Sequence, residues 1–244
     1  MPRGINTYDT GRIQGRNPAN ANILNVVSPG LVTEGLIFAV DAGNRASYEG
    51  AGSTWFDLQG VNNGTMTAGV SWVRDTTDTM RFNGTSGNVS PVDSGLLPRS
   101  GLSVHVWFKT STANSWAIDK SNGGAATGFC VIQSGVGNGF FFVNNISLST
   151  TAAVNTGAWV NLIGTWEPST YMGLYRNGTL NNSRTSSVPA AMTDPSANLR
   201  IGSRGPSGRD WWNGEIAQVL LYDRPLTDTE ASQNFEATRV RFGV

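Results

Sequence analysis

Cysteine and histidine each occur once in the 244 residues. A single cysteine excludes an internal disulfide framework and any zinc site built from several thiolates. Cys130 lies in "GFCVIQ", where it reads as a small buried hydrophobe. A Ser-His-Asp or Cys-His site would have to use His105, the sole histidine, and no Gly-x-Ser-x-Gly elbow is there to present a nucleophile. His105 therefore reads as a structural residue of a strand. Charge is also scarce: 17 Lys and Arg balance 17 Asp and Glu, and only 14% of residues are charged. With neither a net field nor a block of like charge, nucleic acid is not an expected partner. No run approaches the ~18 apolar residues of a membrane span. The start, "MPRGINTYDTGRIQGRNPANANILN", has no apolar region behind its first arginine, so neither a membrane anchor nor an export signal is expected.

What the chain does have is turn chemistry. Thirty glycines and abundant Asn, Ser and Thr suit many short strands joined by turns that need positive φ or side-chain-capped backbone. Asn83-Gly-Thr and Asn177-Gly-Thr read as such turns rather than as glycan acceptors. A chain of this length can be one all-β domain.

Residues 1–33 lack any sustained period and read as an extended N-terminal arm, with the folded domain over 34–244. The arm spaces Arg3, Arg12 and Arg16 among isolated apolar anchors, including Ile5, Tyr8 and Ile13. Such a segment gains its order on a partner's surface. In "LSVHVWFKT", Leu102, Val104, Val106 and Phe108 share one face, and Ser103, His105, Trp107 and Lys109 the other, which predicts a half-buried strand. "GFFFVNN" and "GAWVNLIGTWE" are apolar on both faces and suit central strands. Asn177-Gly178 is the strongest hairpin signal. After Pro225 the period changes: Thr227 and Glu230 form a capping box that starts one short helix, with Phe235 as its inward anchor.

The segments "MRFNGTSGNVSP", "LSVHVWFKTS", "GAWVNLIGTWEPSTYMGLYRNGTL", "LRIGS" and "WWNGEIAQVLLYDRPLTDTE" occur in an order that resembles the laminin G-like jelly rolls of the concanavalin A-like lectin and glucanase superfamily. The resemblance covers roughly residues 34 to 240. It implies an all-β, two-sheet antiparallel jelly-roll sandwich, here with the arm in front and the short helix near the C-terminus. The opening, "GLVTEGLIFAVDAGNRASYEGAGSTWFDLQGVNNGTM", further resembles a subgroup found in virion proteins of tailed phages, in its Asp-Ala-Gly-Asn and Trp-x-Asp-Leu segments.

Hydrolases of the superfamily carry a Glu-x-Asp-x-Glu strand, because retaining glycoside chemistry needs two carboxyl groups ~5 Å apart. No such strand occurs here, and Asp75 and Asp78 in "RDTTDTM" read as a solvated turn. No catalytic residue is assigned. Many relatives bind calcium through acidic oxygens, but this chain has Phe82-Asn83-Gly84 where they often have Phe-Asp-Gly. It also has Gly214-Glu215-Ile216-Ala217 where they often have Gly-x-Ile-Asp. No cofactor and no metal ligand is therefore expected, with a family-type calcium site as the alternative that the resemblance leaves open. Of the adjacent tryptophans, Trp212 is expected to pack inward, while Trp211 beside Arg209 and Asp210 points the opposite way. Arg209, Trp211 and Tyr175 are the candidates for contact with a glycan or protein.

The reading from sequence is a non-enzymatic structural protein of a tailed-phage virion, a capsid decoration or cement protein docked through its arm. Its expected partners are the major capsid protein or another virion protein, and further copies of itself. The alternative is a carbohydrate-binding adhesin on a tail or fibre, whose partner is a host surface glycan.

Overall fold

A computed structural model describes residues 30–244 except 94, 125, 206 and 207; the arm residues Arg3, Ile5, Tyr8, Arg12, Ile13 and Arg16 lie outside the described residues. In chain order the strands are β1 (Leu36–Asp41), β2 (Thr54–Trp55), β3 (Gly64–Met66), β4 (Val70–Val73), β5 (Thr79–Asn83), β6 (Val89–Pro91), β7 (Leu102–Lys109) and β8 (Ser115–Lys120). They continue with β9 (Phe129–Gln133), β10 (Asn138–Val143), β11 (Ile146–Ala153), β12 (Trp159–Glu167), β13 (Tyr171–Arg176), β14 (Thr179–Arg184), β15 (Arg200–Ile201) and β16 (Asn213–Tyr222). Two short helices follow, α1 (Asp228–Glu236) and α2 (Arg239–Phe242).

The strands form two antiparallel sheets of eight. The first runs β14-β13-β12-β7-β16-β5-β4, with β1 also paired to β16; the second runs β11-β10-β9-β8-β15-β6-β3-β2. β16 is the hub of the first sheet, pairing with β7 on one side and with β5 and then β1 on the other. Between the sheets lies one apolar core, to which Leu102, Val104, Val106 and Phe108 contribute from β7 and Ile118, Val131, Phe141 and Val143 from the second sheet.

The expected face of β7 is therefore the inner one, but the strand is not half-buried: Ser103, His105 and Trp107 are as inaccessible as their neighbours. The cover is the C-terminal segment. Thr227 caps α1 and Glu230 reaches back to the Thr227 amide, so the capping box forms as its spacing requires. Phe235 is buried and stacks on Trp107 with ring centroids 5.7 Å apart. α2 was not expected; it brings Phe242 to 4.0 Å from the same indole, while Arg241 reaches back to Asp41. Asn177 and Gly178 both have positive φ, the conformation of a type I′ hairpin.

The arm boundary also moves. Leu31 and Val32 are buried, the Val32 amide donates to Asn234 Oδ1 at 2.8 Å and its carbonyl accepts from the Tyr222 hydroxyl at 3.0 Å. These two residues belong to the folded body, because isolated apolar residues with satisfied backbone partners add to a core even without a strand period.

The Trp-x-Asp-Leu and Asp-Ala-Gly-Asn segments have structural roles. Trp55 is fully buried. Asp57 accepts from the amides of Ala39, Gln59 and Asn62 at 2.9 to 3.0 Å. Asp41 accepts from the Gly43 amide and from Gln218 Nε2, both at 2.8 Å. Each carboxylate closes a loop by satisfying backbone or side-chain donors that would otherwise be buried alone.

Candidate functional site

In the second sheet, residues that alternate with the core set form the outer face. Cross-strand register aligns Ser149, Phe140, Ile132 and Trp116 in one row. A second row holds Ser147, Phe142, Cys130, Asp119 and Arg200. Ile132, Phe140 and Phe142 are half-buried, and the two phenylalanine rings stack 5.8 Å apart. This face thus offers flat apolar surface edged by hydroxyls.

At one end of it, residues 202–205 and 208–212 form the two arms of a hairpin, joined by reciprocal backbone bonds between Arg204 and Arg209. The hairpin is fixed from below: Asp119 accepts from the Gly205 amide at 2.5 Å and Ala117 accepts from the Gly202 amide at 2.9 Å. Arg204 does most of the clamping. Its guanidinium pairs with Asp210 at 2.8 Å, donates through Nε to the Gly123 carbonyl at 2.7 Å, and lies 5.0 Å over the Trp116 ring, a cation held against an aromatic face. Burial pushes the Asp119 carboxyl from 3.8 up to about 6, a shift opposed by hydrogen bonds and by the cations Arg204 and Arg200.

The tryptophan pair divides as its alternation requires. Trp212 is fully buried and meets Phe108 edge to face at 5.1 Å. Trp211 is half-buried, its ring resting on Gly208, where a Cβ would come within 2.6 Å. Arg209 is exposed and forms no ion pair among the described residues. An exposed guanidinium, unpaired among the described residues, and a half-buried indole are thus carried on one hairpin beside an aromatic sheet face.

Tyr175 does not join them. It lies on the outer face of the first sheet, is 1% exposed, and donates its hydroxyl to Asp228 Oδ1 at 2.6 Å under α1. Spacing places its side chain on the outer face but cannot show that a helix covers it.

The other titratable groups are committed to structure. His105 is fully buried, with Nε2 2.6 Å from the Asn161 amide group, and burial lowers its pKa to about 3. Burial likewise pushes the Cys130 thiol well up. Glu215 pairs with Arg81 at 2.9 Å and Lys109 at 3.2 Å. Asp75 accepts from Thr77 and Asp78 in an exposed turn. Asn83, standing where relatives often have Asp, accepts three loop amides from Thr85, Ser86 and Gly87. Among the described residues, no three His, Cys, Asp or Glu side chains come together as a metal set.

Comparison with known sequences then decides the family. The profile of the concanavalin A-like lectin/glucanases superfamily, in its laminin G form, matches residues 82–232. The chain belongs to this superfamily. A curated relative, the human (Homo sapiens) adhesion G-protein coupled receptor D1, is 27% identical over 143 residues, which are 56% of this chain and 16% of the receptor. The chain therefore spans only a small part of that protein.

Among solved structures, the binding domain of Paraclostridial Mosquitocidal Protein 1 superposes with a TM-score of 0.65 at 15% identity, covering 82% of this chain and 52% of that one. Trypanosoma rangeli sialidase in complex with sialic acid gives 0.63 at 15% identity, covering 86% of this chain and 34% of the sialidase. A botulinum neurotoxin type C structure, from work on cell entry dependent upon interaction with two ganglioside molecules, gives 0.61 at 14% identity, covering 84% and 51%. At such identities the likeness is one of fold. The superfamily sandwich itself is thus established.

Proposed function

We propose that the chain is a non-enzymatic saccharide-recognition module, acting as an adhesin on the tail or fibre of a tailed-phage virion. The observation that carries this reading is the hairpin: Trp211 accessible, Arg209 unpaired among the described residues, both held on a clamp made by Asp119, Arg204 and Trp116. An indole stacks on the apolar face of a sugar ring, and a guanidinium donates to hydroxyl or carboxylate oxygens. Preorganisation by the clamp lowers the ordering cost of binding. The sialic acid-bound sialidase and the ganglioside-dependent neurotoxin among the similar folds support a saccharide as the ligand class. The ties of Asp41 to Arg241 and of Glu215 to Arg81 and Lys109 support the absence of hydrolysis, since both acids serve cations of the fold. The virion setting rests on the resemblance of the opening segments.

A second reading keeps the same scaffold as a capsid decoration protein docked through its N-terminal arm, residues 1–33. It is favoured by the composition of that arm, in which Arg3, Arg12 and Arg16 stand among the isolated apolar residues Ile5, Tyr8 and Ile13, anchors suited to small pockets on a partner.

A glycan array with the purified chain tests the first reading. Binding to a defined subset of glycans is expected, weakened at least about tenfold by Trp211→Ala or Arg209→Ala. Binding that survives both changes removes the hairpin from the site. Deleting residues 1–29 separates the two readings: an adhesin still binds glycan, whereas a decoration protein ceases to occupy particles under the electron microscope.

A further inference from the structure

We propose that the cleft between the outer face of β13 and the first turn of α1 is a second saccharide pocket, fitted to a neutral hexopyranose. This rests on the reading of the chain as a saccharide-binding module and uses none of the hairpin residues.

The cleft follows from the alternation of β13. Met172 and Leu174 enter the core, so Tyr171, Gly173 and Tyr175 face outward toward α1. A side chain at Gly173 would come within 2.9 Å of both Thr165 Oγ1 and Tyr171 Cε1, and within 3.1 Å of the Tyr171 hydroxyl. Glycine is thus what lets the half-exposed Tyr171 ring lie back along the sheet. Beneath it, Thr165 is fully buried on the neighbouring strand.

The open volume is about 530 Å³, lined by Glu167, Tyr171, Tyr175, Thr227, Asp228 and Thr229, with Pro225 and Leu226 closing one side. That lies within the roughly 300 to 1,000 Å³ of small-molecule sites.

Its chemistry selects a sugar of one charge class. A tyrosine ring with its negative face open stacks on the C–H face of a pyranose. Carboxylates accept charge-assisted hydrogen bonds from sugar hydroxyls. Asp228 is held in place by the Tyr175 hydroxyl at 2.6 Å, and its other oxygen can accept from a ligand. Burial first, and then Asp228, raises the Tyr175 pKa, so this hydroxyl keeps the proton that it donates to Asp228. None of the lining residues is basic. A carboxylated sugar would meet Glu167 and Asp228 with no compensating cation, and like charges reject it. The hairpin, with Arg209 unpaired among the described residues, has the opposite preference, so the two sites would read different parts of one branched glycan or different glycans altogether.

Saturation-transfer NMR on the full chain tests this, with methyl β-D-galactopyranoside, methyl β-D-glucopyranoside and methyl α-D-mannopyranoside as probes and the methyl glycoside of N-acetylneuraminic acid as the charged comparison. At least one neutral glycoside should bind, at least about tenfold more weakly to Tyr171→Ala and about equally to Tyr171→Phe, which keeps the ring. The proposal is overturned if no neutral glycoside binds, if the sialoside binds in the cleft instead, or if Trp211→Ala removes the signal while Tyr171→Ala does not. The hairpin reading fails by a separate result, an array signal indifferent to Trp211 and Arg209.

Discussion

Trp212→Ala should destabilise the fold by about 3 to 5 kcal/mol, whereas Trp211→Ala should cost about 1 kcal/mol or less. Although adjacent in sequence, the two indoles leave different voids. Trp212 is fully enclosed and packs on Phe108 across the core, and neighbouring strands cannot collapse into the space it would vacate. Trp211 borders solvent and rests mainly on Gly208, so water fills its place. For a domain of this size the larger loss lowers Tm by on the order of 10 °C. Thermal unfolding of both variants checks the contrast. Equal shifts would mean that Trp211 is a structural anchor of the hairpin, and the saccharide assignment would lose its main aromatic group.

His105→Gln should change the pH dependence of stability below pH 6.5. Burial lowers the histidine from 6.5 to about 3, so below pH 6.5 the unfolded chain takes up a proton that the native chain does not. Stability from this group is complete above pH 6.5 and falls with pH, by about 1.4 kcal/mol per unit, until pH approaches 3. Asp119 has the opposite sign: raised to about 6, it stays protonated in the native chain where the unfolded one has lost its proton. Between about pH 6 and 4 the two largely cancel in the parent protein. Removing His105 leaves the Asp119 contribution uncovered. The measurement is denaturant unfolding of parent and variant at several pH values, with the free-energy difference between them expected to change by about 1.4 kcal/mol per unit across that window. A constant difference would show that the native imidazole is protonated or accessible.

These expectations also mark what could be read without coordinates. The inner face of β7, the Asn177-Gly178 hairpin, the Thr227 capping box and the opposed tryptophans all follow from local periods of two or from turn and cap chemistry, which neighbouring residues determine. The burial of Trp107 and His105 does not, because their cover comes from Phe235 and Phe242, far along the chain. Nor does sequence show that Tyr175, grouped there with Arg209 and Trp211, lies apart from them under α1, bonded to Asp228. Nor did any motif mark Trp116, Arg204, Phe140 or Phe142, since only cross-strand register and a returning loop bring them together. Asp119 carries no signature at all; its importance is the amide it accepts from Gly205.

The position of β16 at the hub of the first sheet has a consequence for how the protein acquires its structure. β1, β5 and β7 each pair with a strand that is synthesised long after them, and Arg241 is joined to Asp41 across 200 residues. On a ribosome the early strands must wait with an edge unpaired until residues 213–222 emerge. High contact order of this kind slows the conformational search and prolongs the exposure of sticky edges. Assembly of the first sheet should therefore be late and all-or-none, and the second sheet, whose β8 to β11 hairpins are local, is the part able to form while the chain is still growing.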